Sequence, residues 1–269
     1  MIRPYLSVWK LRFLLGMQYR TAAWAGIATQ LFFGFVFNMV YVAFYAQGSA
    51  SAGDFALEQL VSYVWLQQIF LSLIMLWYRD NEIFQLITSG NIAYELCRPC
   101  GLYAFWFAKL LGQRLSAAAL RCLPILLVVF FLPEPYRMQP PPSPAALACF
   151  LVALLLGLLI VVGVSMLIYI SVFWTMSPTG STLMISVAGE FFAGMILPVP
   201  LMPDWLQNVA NALPFRWASD FPFRIYAGQI PLREALSQIP AQLLWIAALL
   251  ALGSWSLRRA LRKLVVQGG

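Results

Sequence analysis

Few side chains in this sequence could carry out catalysis. Its 269 residues include no histidine, so an imidazole base, a serine–histidine–aspartate triad and metal sites built on imidazole are excluded. No segment has the form G-x-x-x-x-G-K-[ST], the glycine-rich loop that cradles nucleotide phosphates. We therefore expect no catalytic residue, no metal and no cofactor bound by this chain.

Two cysteines have the spacing of a redox or metal-binding pair. Cys97 and Cys100 form Cys-Arg-Pro-Cys, but no second pair of this kind accompanies them. Cys122 and Cys149 lie inside apolar runs, where a thiol behaves as a small apolar side chain. A functional thiol is the less favoured interpretation, and the role of Cys97 and Cys100, if any, stays open.

Two charges lie in the middle of long apolar runs, Arg121 and Glu190. A charge at the centre of a membrane helix costs about 2.5–3.5 kcal/mol, so such residues usually pair or face a polar cavity. Counting about 1.5 Å per residue places both at similar depths. We hypothesise that Arg121 and Glu190 pair or face a shared polar cavity on a translocation path. Gln30 and Asn38 share a helix face and are either interhelical hydrogen-bonding groups or part of that lining.

The composition indicates that these residues are carried by membrane-spanning helices. Hydrophobic residues make up 62% of the chain and charged residues 10%, far from the balance of soluble domains. Six continuous apolar stretches approach the roughly 20 residues that a spanning helix needs. They are residues 22–46, 57–78, 105–132, 145–174, 181–197 and 235–257. We expect an all-α membrane protein, a single domain over residues 1–269 with six transmembrane helices.

The basic residues predict the orientation. The net charge of +7 would suggest nucleic acid in a soluble protein, but cytoplasmic loops of membrane proteins collect Lys and Arg. With six spans, most of them fall on one side: Arg3, Lys10, Arg12, Arg20, Arg79, Arg98, Lys109, Arg114, Arg258, Arg259, Arg262 and Lys263. This bias places both termini in the cytoplasm and argues against a nucleic-acid partner.

Residues 1–21 are expected to form an interfacial helix. An apolar stripe at helical spacing consists of Ile2, Tyr5, Leu6, Trp9, Phe13 and Met17. Such a helix lies along the membrane surface with its apolar face in the lipid. The alternative is a plain extension of the first span.

Two connecting segments are unusually informative. Residues 79–101, on the cytoplasmic side, predict two short amphipathic helices that either receive a partner protein or form a solvated connector. Residues 198–234, on the outer side, interleave prolines with aromatic residues, which prevents a full span and would not remain in water. We expect a re-entrant pair of half-helices there, sheltered by protein, followed by an interfacial stretch.

Three segments carry a resemblance to a known family. They are Leu14–Ala28 around Gln18-Tyr19-Arg20; Thr88–Pro99 with Gly90-Asn91-Ile92-Ala93-Tyr94-Glu95-Leu96; and Pro198–Phe215 with Pro203-Asp204-Trp205 and Leu213-Pro214-Phe215. With the span plan, the chain resembles permease subunits of type-2 ATP-binding-cassette exporters. More specifically, it is similar to the bacterial branch that has one ATPase and two different permeases.

The resemblance implies a mechanism and its partners. Residues around 79–98 would dock on an ATPase dimer, which alone would bind ATP and Mg²⁺. The candidate contacts are Glu82, Ile83, Asn91, Glu95 and Arg98, with Phe84, Ile87 and Ile92 as further apolar anchors. The outer lid would include Pro203, Trp205, Pro214 and Phe215. A second, paralogous permease would complete a path for amphiphilic cargo through the bacterial cytoplasmic membrane.

Two other classes remain as alternatives. A non-transporting membrane scaffold or assembly factor would use the cytoplasmic segment to recruit a partner. An intramembrane lipid-modifying enzyme is disfavoured because histidine and any nucleophilic or acidic cluster are missing. The sequence leaves open the cargo and whether the two permeases are identical.

Overall fold

The computed structural model describes residues 2–46 and 55–262, which form helices and turns with no strand among them. The α-helices are α1 (Arg3–Gly16), α2 (Arg20–Ala46), α3 (Leu57–Ile69), α4 (Leu71–Ile74), α5 (Asn81–Thr88), α6 (Ile92–Leu96), α7 (Leu102–Phe130), α8 (Pro144–Thr175), α9 (Pro178–Phe192), α10 (Asp204–Asn211), α11 (Asp220–Tyr226) and α12 (Leu232–Leu261). Short 3₁₀ helices lie at Val199–Leu201 and Phe215–Ala218. The all-helical class is confirmed.

Four helices are long and apolar enough to cross a membrane: α2, α7, α8 and α12. The second predicted span is divided, because α3 ends before Phe70 and α4 begins after it. The fifth predicted span is α9, with 15 residues. The structure thus supports four spans by length and composition, whereas six spans stay a prediction.

The core is built around α8 and α3. Helix α8 is apolar on all sides and contacts α12, α11, α7, α9 and α5. In α3, the ten residues from Leu60 to Ile69 are all buried. A helix without a polar face, such as α8, is normally enclosed by other helices. Protein surrounds much of both α8 and α3.

Local capping explains where several helices begin. The Ser143 side chain accepts a hydrogen bond from the Ala146 amide, and Pro144 follows at the first position of α8. The Asp80 carboxylate likewise accepts from the Glu82 amide and starts α5. Both side chains satisfy backbone amides that would otherwise lack a partner at a helix N-terminus.

Helix α1 packs along the first half of α7. The Tyr5 hydroxyl accepts a hydrogen bond from the Gly101 amide at 3.0 Å. A Cβ at Gly112 would lie 2.5 Å from the carbonyl oxygen of Trp9, so only glycine permits this approach. The predicted apolar stripe is therefore divided: Tyr5 and Trp9 are partly covered, whereas Ile2 and Leu6 stay exposed.

Candidate functional site

Residues 79–101, predicted to lie on the cytoplasmic side, are held on the helical bundle by the apolar face of α5. Ile83, Phe84 and Ile87 are buried, and the Phe84 ring centroid lies 4.6 Å from that of Tyr169 on α8. The Asp80 amide donates a hydrogen bond to the Tyr169 hydroxyl at 2.6 Å. The start of α5 is therefore fixed to α8 by both apolar and polar contacts.

This orientation corrects the expectation for the apolar contacts. Ile83 and Ile92 are both 0% exposed, because their side chains pack inside this chain. They anchor α5 and α6 on the bundle and do not face a partner, and the same holds for Phe84 and Ile87. The periodicity identified an apolar face correctly but could not say what covers it.

A different set of residues faces outward from α5 and α6. We call this set the docking face: Asn81, Gln85, Ser89, Asn91, Tyr94 and Leu96, all of them exposed. Tyr94 is 75% exposed, the most accessible large side chain of the segment. Of the predicted contacts, Asn91 belongs to this face; Glu82 and Arg98 are also exposed, but each pairs with a charged side chain of the same chain. An exposed aromatic ring beside amide and hydroxyl groups is suited to a protein contact.

Four charged side chains from three parts of the chain meet at the base of α5. In this inner charge cluster, the Lys109 ammonium lies 3.1 Å from Asp80 and 3.0 Å from Glu82, measured between nitrogen and carboxylate oxygen. Arg12 of α1 also pairs with Glu82. Asp80 and Lys109 are almost fully buried. The cluster therefore joins α1, α5 and α7.

The positive charges of Arg12 and Lys109 favour the ionised form of Glu82. Partial burial alone would raise the pKa of this carboxyl group, but hydrogen bonds from Arg12 and Lys109 outweigh that effect and hold the pKa below its usual value. Glu82 is thus an anion at neutral pH. Its carboxylate is engaged within this chain, although the side chain is 54% exposed.

Glu95 is also turned toward the bundle. It is 8% exposed and accepts a hydrogen bond from the Trp106 indole at 3.0 Å. Arg98 pairs with Glu95 at 3.2 Å and lies over the Phe105 ring, 4.9 Å from its centroid. These contacts fix α6 to the beginning of α7. Cys97 and Cys100, which follow α6, are not joined by a disulfide.

Arg114 is a further buried charged residue near the inner charge cluster, and the sequence pattern did not identify it as a site residue. It is 1% exposed, and its guanidinium donates hydrogen bonds to the carbonyls of Leu73 and Met75, at 3.2 and 2.7 Å, and to Ser165 at 3.0 Å. The carbonyls at a helix C-terminus lack intrahelical partners and carry partial negative charge. Arg114 thus binds the end of α4 to α7 and α8.

Arg121 and Glu190 do not meet within the chain. Arg121 borders a cavity between α1, α2 and α7, whereas Glu190 accepts a hydrogen bond from the Leu76 amide at 3.3 Å and borders another cavity. Within residues 2–46 and 55–262 they form no ion pair. The hypothesis of a pair or shared cavity is wrong inside one chain, because equal depth does not make two helices neighbours.

Gln30 and Asn38 are buried on α2, as their shared face suggested. Their exposed fractions are 3% and 0%, and in the described part of the chain neither amide has a hydrogen-bond partner. They are therefore not hydrogen-bonding groups between helices within this chain. That Gln30 and Asn38 line a translocation path stays a prediction.

The outer segment is a series of short helices. Pro203 precedes α10, and Trp205 on that helix is 67% exposed. Pro214 precedes the second 3₁₀ helix, whose Phe215 is partly buried against α9. Phe221 and Phe223 are fully buried in the main core instead of lying at an interface. A lid function for Pro203, Trp205, Pro214 and Phe215 stays a prediction.

A buried polar cluster fastens this outer segment. The Tyr63 hydroxyl of α3 donates to the Asp220 carboxylate at 3.0 Å, and Arg224 pairs with Asp220 at 3.4 Å. Nearby, the amide group of Gln242 donates to the carbonyls of Ala153 and Trp217 at 2.7 and 2.8 Å. This outer polar cluster therefore links α3, α8, α11 and α12.

The residues that sequence reasoning missed share one signal. In the sequence, Lys109 and Arg114 contribute to the charge bias that predicts orientation; in the structure both lie inside α7 and are buried. Polar residues within apolar stretches, here Lys109, Arg114 and Tyr63, were available as that signal. Their partners lie far away in sequence, so no local pattern could identify the pairs.

Comparison with known proteins agrees with this architecture. A family model described as "ABC-2 family transporter protein" matches residues 30–268, most of the chain. No curated protein and no solved structure matches.

Proposed function

Because this chain belongs to the ABC-2 transporter family and is thus a multi-pass permease component of an ABC transporter, we propose that it is one of two permeases in an exporter driven by a separate ATPase dimer. ATP and Mg²⁺ bind to the ATPase, and this chain contributes no catalytic group. The permease forms half of the translocation path.

The attachment of α5 and α6 to the bundle is the observation that carries this proposal. A push on the docking face reaches α8 through Phe84 and Tyr169, and reaches α7 through Lys109. Packed interiors transmit displacement because they have low compressibility. Nucleotide-driven closure of the ATPase dimer would therefore move the spans through α5 and α6 as a rigid-body transition.

Exposed apolar surfaces support a path shared by two permeases. Helix α2 exposes Trp24, Phe32 and Met39, and α9 exposes Met184 and Val187. Such surfaces face lipid, cargo or another apolar protein. We propose that α2 and α9, the first and fifth of six spans, line the path, with residues 198–234 as the outer lid; α3 of the second span is buried within the chain. The few charges on these surfaces favour amphiphilic cargo such as a drug, peptide or lipid.

The proposed topology places both termini in the cytoplasm of a bacterial cell, with the protein in the cytoplasmic membrane. The inner charge cluster and the docking face lie on the side that the basic residues assign to the cytoplasm. An ATPase can reach them only from there. The second permease is proposed to be a different, paralogous chain.

Co-purification with a candidate ABC ATPase from the same gene neighbourhood tests the coupling. The wild type is compared with Tyr94→Asp, which places a charge at the centre of the docking face. Trp205→Asp is the matched control, because it changes an exposed aromatic residue on the opposite side of the protein. We expect the ATPase to remain with the wild type and the control, and to be lost from the Tyr94 variant.

Other outcomes separate this function from a scaffold. If no ABC ATPase is retained by any of the three proteins, the exporter proposal fails and the recruitment of another cytoplasmic partner takes its place. If the Tyr94 variant retains the ATPase as well as the wild type does, the docking face is wrong even though the transporter assignment stands. Stimulation of ATP hydrolysis by amphiphiles in the intact complex then tests the cargo class.

A further inference from the structure

A polar cavity lies where α1, α2 and α7 meet. Its volume is about 410 Å³, and its polar lining residues are Arg12, Tyr19, Tyr78, Gln113, Ser116 and Arg121. Small residues, among them Gly16 and Ala22, complete the wall. Cavities of this size accommodate small molecules or the polar part of a larger one. Among the described residues, the lining contains two guanidinium groups and no carboxylate. Arg12 is paired with Glu82 outside the lining, so Arg121 supplies the uncompensated charge that is complementary to an anion.

The central observation is that the Arg121 guanidinium has no charged partner in the described part of the chain. This guanidinium lies against the backbone of α2, because a Cβ at Gly26 would be 2.6 Å from the guanidinium carbon. Within the described part of the chain it forms no ion pair and no side-chain hydrogen bond. An arginine within a spanning helix normally has a partner, since an uncompensated charge there is unfavourable. Arg121 therefore has five N–H donors available for a ligand.

The second guanidinium is partly engaged. Arg12 pairs with Glu82 through one terminal nitrogen, which leaves further N–H donors for an acceptor in the cavity. Guanidinium groups are suited to phosphate because their planar N–H groups can contact two oxygens at once. A phosphate group between Arg12 and Arg121 would also lie beside the inner charge cluster.

The surroundings of the cavity indicate where the anion comes from. Trp24 on α2 and Leu123 on α7 are 65% and 62% exposed, and Leu127 is 54% exposed one turn beyond Leu123. These side chains belong to helices that are apolar enough to span a membrane. A charged cavity beside exposed apolar side chains of spanning helices fits a molecule that has an anionic headgroup and acyl chains.

We propose that this cavity binds the phosphate-bearing headgroup of an anionic phospholipid. Arg121 and Arg12 contact the phosphate, and the acyl chains lie along the exposed apolar sides of α2 and α7. The site shares no residue with the docking face, and lipid binding there requires no ATPase. Failure of the proposed exporter function and failure of this site are therefore independent.

Native mass spectrometry of the purified full-length permease tests the site. The protein is titrated with phosphatidylglycerol and, separately, with phosphatidylcholine of the same acyl chains. We expect tighter binding of phosphatidylglycerol by the wild type. Arg121→Gln should weaken that binding about tenfold, as expected for the loss of a charge-assisted hydrogen bond. Arg121→Lys, which keeps the charge, should bind more tightly than the glutamine variant.

Two further variants keep the test interpretable. Ala22→Phe fills the cavity without changing any charge, and should also weaken phosphatidylglycerol binding. Arg258→Gln removes one positive charge from an exposed site on α12 and should bind as the wild type does. Circular dichroism and gel filtration establish that each variant is folded.

Three results would overturn the proposal. The first is unchanged phosphatidylglycerol binding in both the Arg121→Gln and Ala22→Phe variants. The second is equal binding of phosphatidylcholine and phosphatidylglycerol by the wild type. The third is complete displacement of phosphatidylglycerol by inorganic phosphate alone, which would identify a site for the free anion.

Discussion

The segments at residues 79–101 and 198–234 are both attached to the bundle by apolar packing and polar contacts, but in different proportions. On the cytoplasmic side, α5 and α6 are held by the inner charge cluster and by Glu95 with Trp106 and Arg98. On the outer side, α11 packs Phe221 and Phe223 into the core. The 3₁₀ helix before α11 approaches α8 so closely that a Cβ at Gly157 would lie 2.5 Å from the Ala218 carbonyl oxygen.

The difference between the two attachments predicts how each segment responds to pH, salt and substitution. Close packing permits few alternative arrangements of the outer segment, and its ion pair, Asp220 with Arg224, is largely shielded from solvent. Ion pairs depend on protonation, and where they are exposed also on salt. Glu82 and Arg98 are about half exposed, so the segment at residues 79–101 should respond more strongly to pH and salt. Variants on the two sides should differ in size of effect and in pH dependence.

The largest effect is expected from the centre of the inner charge cluster. Lys109→Met leaves Asp80 buried and unpaired, which should lower the free energy of unfolding by about 3–5 kcal/mol. Chemical unfolding in mild detergent measures it. Lys10→Met, an exposed lysine on α1, is the control and should change little. Adding Asp80→Asn to the Lys109 variant should restore part of the loss, and no recovery would contradict the buried pair.

The next effect tests packing on the outer side. Gly157→Ala places a methyl group against the Ala218 carbonyl and should destabilise the protein by about 1–3 kcal/mol. Gly180→Ala is the matched control, because a Cβ there has no neighbour within 4 Å. The control should be neutral or slightly stabilising, since alanine favours a helix. Equal thermal unfolding of both variants would refute the close approach.

A smaller effect is expected in the outer polar cluster. Tyr63→Phe removes the hydroxyl that donates to Asp220 and should lower the free energy of unfolding by about 1–2 kcal/mol. Tyr94→Phe removes the same atom from an exposed ring and should have no measurable effect on unfolding. If both substitutions are silent, the hydrogen bond to Asp220 does not stabilise the fold.

The smallest effect is a pH dependence on the cytoplasmic side. Because the folded pKa of Glu82 is lowered, its ionised form stabilises the protein above the usual pKa of 4.5, and this contribution is lost as the pH falls through the lower folded value. Glu82→Gln should cost less than about 1 kcal/mol at neutral pH, since the side chain is largely exposed.

The difference between wild type and Glu82→Gln should then shrink as the pH falls below 4.5. Thermal unfolding at a series of pH values measures it, with Glu58→Gln as a control at an exposed carboxylate on α3. A difference that does not change with pH would contradict the assignment of the charge cluster.

Much of the fold could be predicted, because apolar length and helix periodicity are local properties. Four predicted spans correspond to α2, α7, α8 and α12, and the cytoplasmic segment contains two short helices at its expected place. The site was predicted less well. Ile83 packs in the core and does not face a partner, and the buried Lys109 forms ion pairs with two carboxylates. Both arrangements depend on contacts between segments that are distant in sequence.

By itself the sequence determined that this protein is helical and that it resides in a membrane. Both follow from composition and from the length of the apolar stretches along the chain. Only the tertiary structure decided that Arg121 borders one cavity and Glu190 another. It also decided that Arg114 binds the end of α4. The physical reason is that periodicity specifies which face of a helix is apolar, whereas the packing of helices against each other decides what that face meets.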